Sequence, residues 1–194
     1  MLKTLLLKLR SIIVKDDGNK KVLIKESTIN NLKLIKIEDL SDEENKLILE
    51  AHRRILRTSK EQNDSNEVAV VVNITNKLIL DPIIGKEDET VFSDDLIDNE
   101  FCEYALCHNH PKGGDFSFED INTFLGYSNI KLMTIVTNNG RIMYLYKGKK
   151  YTVKPLSKVI GKLKFKTFKS ISDKKYIVDI FDKNIYYMGI KRRR

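Results

Sequence analysis

Two cysteines in 194 residues, Cys102 and Cys107, cannot build a disulfide framework. They lie on one expected strand at an odd spacing, which puts them on opposite faces and excludes a bridge between them. Both are expected as reduced thiols in a cytoplasmic protein. No apolar run approaches the ~18 residues that would suggest a membrane span. The apolar start from Met1 to Arg10 is broken by Lys8 and Arg10 and is followed by no small-residue cleavage site, so a secretory leader is not expected. No internal repeat is present. Histidine is scarce as well: there are three, and none follows His110.

What is there suffices for a folded core. Hydrophobic residues make up 41% of the chain, and its length suits one domain with extensions. The net charge of +8 is unevenly spread. Residues 1–146 hold 19 basic and 24 acidic side chains, whereas residues 147–194 hold 16 basic and 3 acidic. A basic extension over 148–194, with Phe165, Phe168, Tyr176, Tyr186 and Tyr187 interleaved, suits nucleic acid or another anion as a partner. It suits equally a solubilising extension whose aromatics form an added β-unit, with strands at 176–181 and 184–188 and a disordered end at 191–194.

The hydrophobic pattern divides the rest. Residues 1–40 read as β-rich, with strands at 11–15 and 21–25 around the Asp17-Gly18 turn signal and a further pair near 32–37. Ser41-Asp-Glu-Glu44 is a capping box, and Leu47, Ile48, Ala51, Ile55 and Leu56 recur at helical spacing to about Ser59. His52, beside Arg53 and Arg54, is expected at the surface of that helix. Val68–Asn73 reads as a buried strand, followed by strands at 77–80, 89–92 and 103–107. A loop or single helical turn is expected over 93–100, a short helix over 118–125, and a hairpin of 131–137 and 141–146 turning at Asn138-Asn139-Gly140. The expected fold class is α/β, a mixed β-sheet flanked by helices.

Chemistry concentrates in His108-Asn-His110-Pro-Lys-Gly-Gly-Asp-Phe-Ser117-Phe-Glu-Asp120. Alternate strand residues share a face, so His108 and His110 point one way and Cys107 and Asn109 the other. Pro111 ends the strand, and Gly113 and Gly114 permit a sharp return. Asp120 then falls in the first turn of the next helix, where it can face both imidazoles. Two neutral imidazoles and one carboxylate suit zinc with a fourth position left for water, the arrangement of a catalytic site. Such a site also needs a base from outside the motif.

This pattern resembles the JAMM (MPN+, JAB) zinc metalloproteases, whose signature is His-x-His-Pro, a short loop and Ser-x-x-Asp. The His-Asn-His-Pro form is most similar to the RadC-like branch, and the continuation from Asp115 to Tyr146 resembles JAMM-like segments of phage head-morphogenesis proteins. The loop from Pro111 to Ser117 is slightly shorter than in the RadC-like form. The resemblance covers residues 41–147 and implies a deaminase-like core between the N-terminal segment and the basic extension. It implies Zn2+ held by His108, His110 and Asp120, with Ser117 supporting the oxyanion. The family's glutamate, at the start of the strand after the first long helix, maps onto Glu67 as general base and then acid; Glu61 is a weaker substitute. The implied activity is cleavage of a peptide or isopeptide bond in a protein or peptide substrate.

Other readings compete. Ser117-x-x-Asp120 is also a helix-capping pattern, and Glu67 alone would be a solvated strand-edge residue. A structural zinc site built from both cysteines and both histidines is opposed by the alternation of strand faces. His-x-His-Pro with Gly-Gly and Asn122 has a likeness to HNH-type nucleases, but that family needs a further histidine or asparagine on its helix. A non-catalytic RadC-like, DNA-associated module would have lost ligands that are all present in this chain.

Overall fold

The computed structural model describes residues 20–37, 39–86, 93–149 and 185–188. The apolar start at 1–10, the strand at 11–15, the hairpin turn at 16–19, the strand at 89–92, the strand at 176–181 and the end at 191–194 lie outside the described residues.

Three α-helices are described, α1 (Glu26–Asn30), α2 (Asp42–Gln62) and α3 (Phe118–Gly126), with a 3-10 turn at Asp94–Ile97. The strands are β1 (Val68–Asn73), β2 (Leu78–Ile79), β3 (Ile83–Ile84), β4 (Tyr104–His110), β5 (Ile130–Thr137), β6 (Ile142–Lys147) and β7 (Ile185–Met188). They form one sheet in the order β2-β1-β4-β5-β6-β7, and β3 pairs with the same edge of β1 as β2. β4 and β5 run parallel, joined through α3, while the other pairs are antiparallel. This is the mixed, helix-flanked sheet expected from the sequence. No helix among the described residues is long and apolar enough to cross a membrane.

Each face of the sheet has its own core. Val68, Val70, Val72, Ala105, Cys107, Leu132 and Val136 pack beneath α1 and α2, against Ile29, Ile48, Ala51, Ile55 and Leu56. The alternate residues Val71, Tyr104, Leu106, Met133, Ile135, Met143 and Leu145 pack beneath α3 and the 3-10 turn, against Phe116, Ile121, Phe124 and Ile97. With both faces covered, β1 and β4 read as near-continuous apolar runs. The polar residues that interrupt β4 are therefore its informative ones.

The β-rich expectation for residues 1–40 is corrected where the chain is described: residues 21–25 and 32–37 form no strand, and α1 lies between them. Their backbone groups find other partners. Val22 N donates to Pro111 O, Ile24 N to Ser65 Oγ and Ile37 N to Asn45 Oδ1. Val22 and Ile24 thus run across the end of the sheet rather than along an edge. α2 begins with the expected capping box of Ser41 and Glu44 and continues one turn past Ser59. It ends in a turn where Asp64 and Ser65 both take left-handed backbone angles (φ 46° and 59°), and Lys21 Nζ reaches Asp64 Oδ2 at 2.8 Å. That turn delivers the chain to Glu67 and β1.

His52 is also corrected. It is buried rather than exposed, with Nε2 2.7 Å from Thr134 Oγ1. It follows Ile48 by one helical repeat and precedes Ile55 and Leu56, so it belongs to the face that packs on the sheet.

Candidate metal centre

β4 is the middle of the site. Its alternation places His108 and His110 on the α3 side of the sheet, together with Tyr104 and Leu106, while Cys107 and Asn109 face α2. Pro111 follows β4, and Gly113 (φ 79°) takes the left-handed conformation that turns the chain back toward α3. At the start of α3, Ser117 and Asp120 form a reciprocal capping box. Asp120 N donates to Ser117 Oγ at 3.0 Å, and Ser117 N donates to Asp120 Oδ2 at 2.6 Å.

That box leaves Asp120 aimed at both imidazoles. His108 Nε2 stands 3.0 Å from His110 Nε2 and 3.3 Å from Asp120 Oδ1, and His110 Nε2 stands 3.6 Å from Asp120 Oδ2. Three donors bound at ~2.0–2.2 Å to one tetrahedral ion stand about 3.3–3.5 Å from each other. The two imidazoles approach different oxygens of Asp120, and one ligand atom from each of the three side chains lies within 4.8 Å of the others, so they form a group able to hold a metal ion. Two imidazole nitrogens this close share either a proton or a cation, and the carboxylate beside them suits both. The His108 side chain is 5% exposed, whereas those of His110 and Asp120 are 16% and 17% exposed. His108 is thus the most deeply buried of the three, and His110 and Asp120 are partly open to solvent.

Electrostatics bind the cluster together. Burial alone pushes the His108 imidazole down, but the charge and hydrogen bond of Asp120, with the charge of Glu67, outweigh it and the net shift is upward. Burial pushes Asp120 up, yet His108 and then His110 hold its carboxylate well below the usual range. On the other side of the sheet, burial drives His52 down to about 3 and Cys107 up to about 12. His52 is therefore neutral at physiological pH, and Cys107 is an unreactive thiol, as a buried cysteine should be.

Of the residues expected from sequence, His108, His110 and Asp120 come together. Glu67 immediately precedes β1 and is buried, and Ala69 pairs with His108 in antiparallel register. Two residues before Ala69, Glu67 falls opposite His110 and on the same face as the imidazoles. Its charge acts on His108, so it is no solvated edge residue. Glu61 is exposed in the last turn of α2. Ser117 is attached to the centre through Asp120, and its oxygen already accepts the Asp120 amide. Cys102 and Cys107 are free, buried, and in opposite cores.

Sequence reasoning passed over Asn109, Asn138 and Ser59, all buried behind the centre. Asn109 Oδ1 accepts from Val68 N at 2.7 Å, and Nδ2 donates to Asn138 Oδ1 at 2.8 Å and to Asn66 O at 3.2 Å, with Ser59 Oγ at 3.3 Å. Asn138 Nδ2 donates onward to Val22 O and Ser65 O. A signal existed: β4 alternation assigns position 109 to a face that is otherwise apolar, and a polar residue there demands partners.

No family model, curated protein or solved structure matches this chain. Its fold and its His108-His110-Asp120 cluster therefore stand on their own geometry.

Proposed function

We propose that this chain is a zinc-dependent hydrolase of the JAMM type that cleaves a peptide or isopeptide bond in a cytoplasmic protein substrate. The observation that carries the reading is the convergence of His108, His110 and Asp120 donors within 4.8 Å of one another, with the buried Glu67 close enough for its charge to act on His108. The donor set of two imidazoles and one carboxylate fits zinc and leaves a coordination position for water. Zinc, when bound, supplies Lewis acidity and a water whose pKa is lowered to ~7. Glu67 would take the proton from that water and return it to the leaving nitrogen. The Ser117 hydroxyl, whose oxygen accepts the Asp120 amide, keeps its own proton for donation to the developing oxyanion. Asp120 and the histidines hold the ion, and the capping box fixes the carboxylate's aim.

The test is metal analysis of the purified full-length chain followed by a screen against a quenched-fluorescence peptide library. A single zinc per chain is expected, and it should be lost on His108→Ala or Asp120→Ala. Glu67→Gln should keep the ion and abolish peptide cleavage. A folded protein that takes up no zinc at neutral pH would overturn the reading. Cleavage of plasmid DNA with magnesium, with no peptide cleavage, would assign the centre to nuclease chemistry instead.

A further inference from the structure

We infer that Asn109, the residue between the two histidines, is the positioning residue that sets Glu67 against the metal ligands. This rests on the metallohydrolase reading above and goes beyond it, because Asn109 touches neither the ion position nor the site face.

The β1–β4 ladder runs out at His108. Its paired residues extend from Asn73↔Tyr104 to Ala69↔His108. Glu67 and His110 lie beyond the last pair, at the mouth of the sheet. There the Asn109 side chain takes over from the ladder. Its Oδ1 accepts from Val68 N, and its Nδ2 donates to Asn66 O. Those two backbone groups belong to the neighbours of Glu67 on either side. One amide side chain thus grips the chain just before and just after the proposed base, while its own backbone lies between two ligands.

The other edge of Glu67 is held separately. Glu67 N donates to Lys86 O at 3.1 Å, and Glu67 O accepts from Gly85 N at 2.9 Å and from Asn63 Nδ2 at 2.8 Å. These contacts fix Glu67 to the β3 side. They do not tie it to the strand that carries the histidines.

The ligands, in turn, do not depend on Asn109 for their own position. β4 is held along its second edge by β5, with His108↔Ile135, Asn109↔Val136 and His110↔Thr137 in register. Removing the Asn109 side chain leaves the histidines in place and takes away its two bonds from β4 to the chain around Glu67, while Glu67 N and O stay bonded on the β3 side and Asn66 O keeps the Ser59 hydroxyl. General acid–base chemistry is unforgiving of such a slip, since a displacement near 1 Å costs on the order of 100-fold in rate.

The test separates positioning from mere stabilisation. The full chain is loaded with Co2+, whose visible absorption reports its ligands, and titrated with acetohydroxamic acid. As the probe binds the cobalt, its O–H bond breaks and the proton passes to the Glu67 carboxylate, so its affinity reads the placement of that carboxylate. Glu67→Gln should leave Co2+ affinity unchanged and weaken acetohydroxamate by about tenfold or more. Asn109→Ala should do the same, and should add nothing in a Glu67→Gln background. Circular dichroism verifies folding. Should Asn109→Ala fail to fold, Asn109→Asp, which keeps the acceptor for Val68 N and drops the donor to Asn66 O, carries the same expectation. Equal weakening in both backgrounds, or loss of Co2+ affinity on changing Asn109, overturns the inference. Wild-type protein that binds no Co2+ overturns the metallohydrolase reading itself. Co2+ binding with acetohydroxamate affinity unchanged in Glu67→Gln removes Glu67 from its role and Asn109 with it.

Discussion

Lys147 and Asp120 hold opposite ends of the same helix. Asp120 closes the capping box at the start of α3, and Lys147, the last residue of β6, donates from Nζ to the carbonyls of Phe124 (2.6 Å) and Tyr127 (2.5 Å) at its end. The ammonium also lies 4.4 Å from the centre of the Phe124 ring. A nitrogen donor at a helix C-terminus satisfies carbonyls that the helix leaves open. A buried lysine therefore anchors the element that presents Asp120.

The anchor makes stability depend on pH. Burial, with a smaller contribution from Lys131, drives Lys147 down to about 7 from an ordinary value of 10.5. Between those two values the unfolded chain holds a proton that the folded chain has released, so stability rises as pH rises. Denaturant unfolding at pH 7 and pH 9 should show the wild type more stable at pH 9, by up to a few kcal/mol. Lys147→Met should remove this contribution to the slope, and an unchanged slope would remove Lys147 as its source.

Acid should act through His52. Its value near 3, set by burial and then by the charge of His108, lies below the ordinary 6.5. As pH falls from 6.5 toward 3, the unfolded state takes up a proton that the folded state refuses, and stability is lost across that window. The imidazole should show no titration above pH 4 by NMR, and His52→Leu should flatten this part of the acid limb. The Nδ1 atom of His52 is the one buried side-chain polar atom among the described residues with no partner. Leucine therefore leaves fewer buried polar groups unmatched, although Thr134 loses its imidazole contact.

The two roles of Ser117 are separable. Ser117→Ala should cost about 1 kcal/mol of stability through the lost cap. It should also weaken zinc, because Asp120 loses part of its support. Ser117→Asp restores an acceptor for the Asp120 amide but has no proton to donate when ionised. It should recover stability without recovering peptide cleavage, and recovered cleavage would dismiss the oxyanion role.

Metal and fold should be linked. An ion bound only by the native arrangement adds stability according to its concentration over its dissociation constant, about 4 kcal/mol at a thousandfold excess. Thermal unfolding with added zinc should move upward, EDTA should reverse it, and Asp120→Ala should abolish the response.

The metal motif could be read from sequence because its geometry is local. Period-two alternation puts His108 and His110 on one face, and a capping box sets Asp120 in a helix's first turn. The same locality made α2 and the β5–β6 hairpin readable. What failed depended on distant partners. Residues 21–25 carry a strand-like pattern, yet Ile24 N finds Ser65 Oγ and Val22 N finds Pro111 O. His52 sits beside two arginines, and only the opposing Thr134 reveals that it faces inward. Asn109 shows both sides of this: its face could be derived, but not that its amide would bridge the chain around Glu67.

The pairing of β4 on both edges, against the brevity of α3, sets how a bound ion would come and go. His108 lies where β4 is paired with both β1 and β5, and His110 where it is paired with β5, inside a sheet whose strands do not open singly. Asp120 lies in the first turn of a helix of nine residues, too short to persist in water without its tertiary contacts. The cluster thus joins a strand of the sheet to the first turn of a short helix. Were an ion bound, Asp120 would be the ligand that could let go without any strand of the sheet opening.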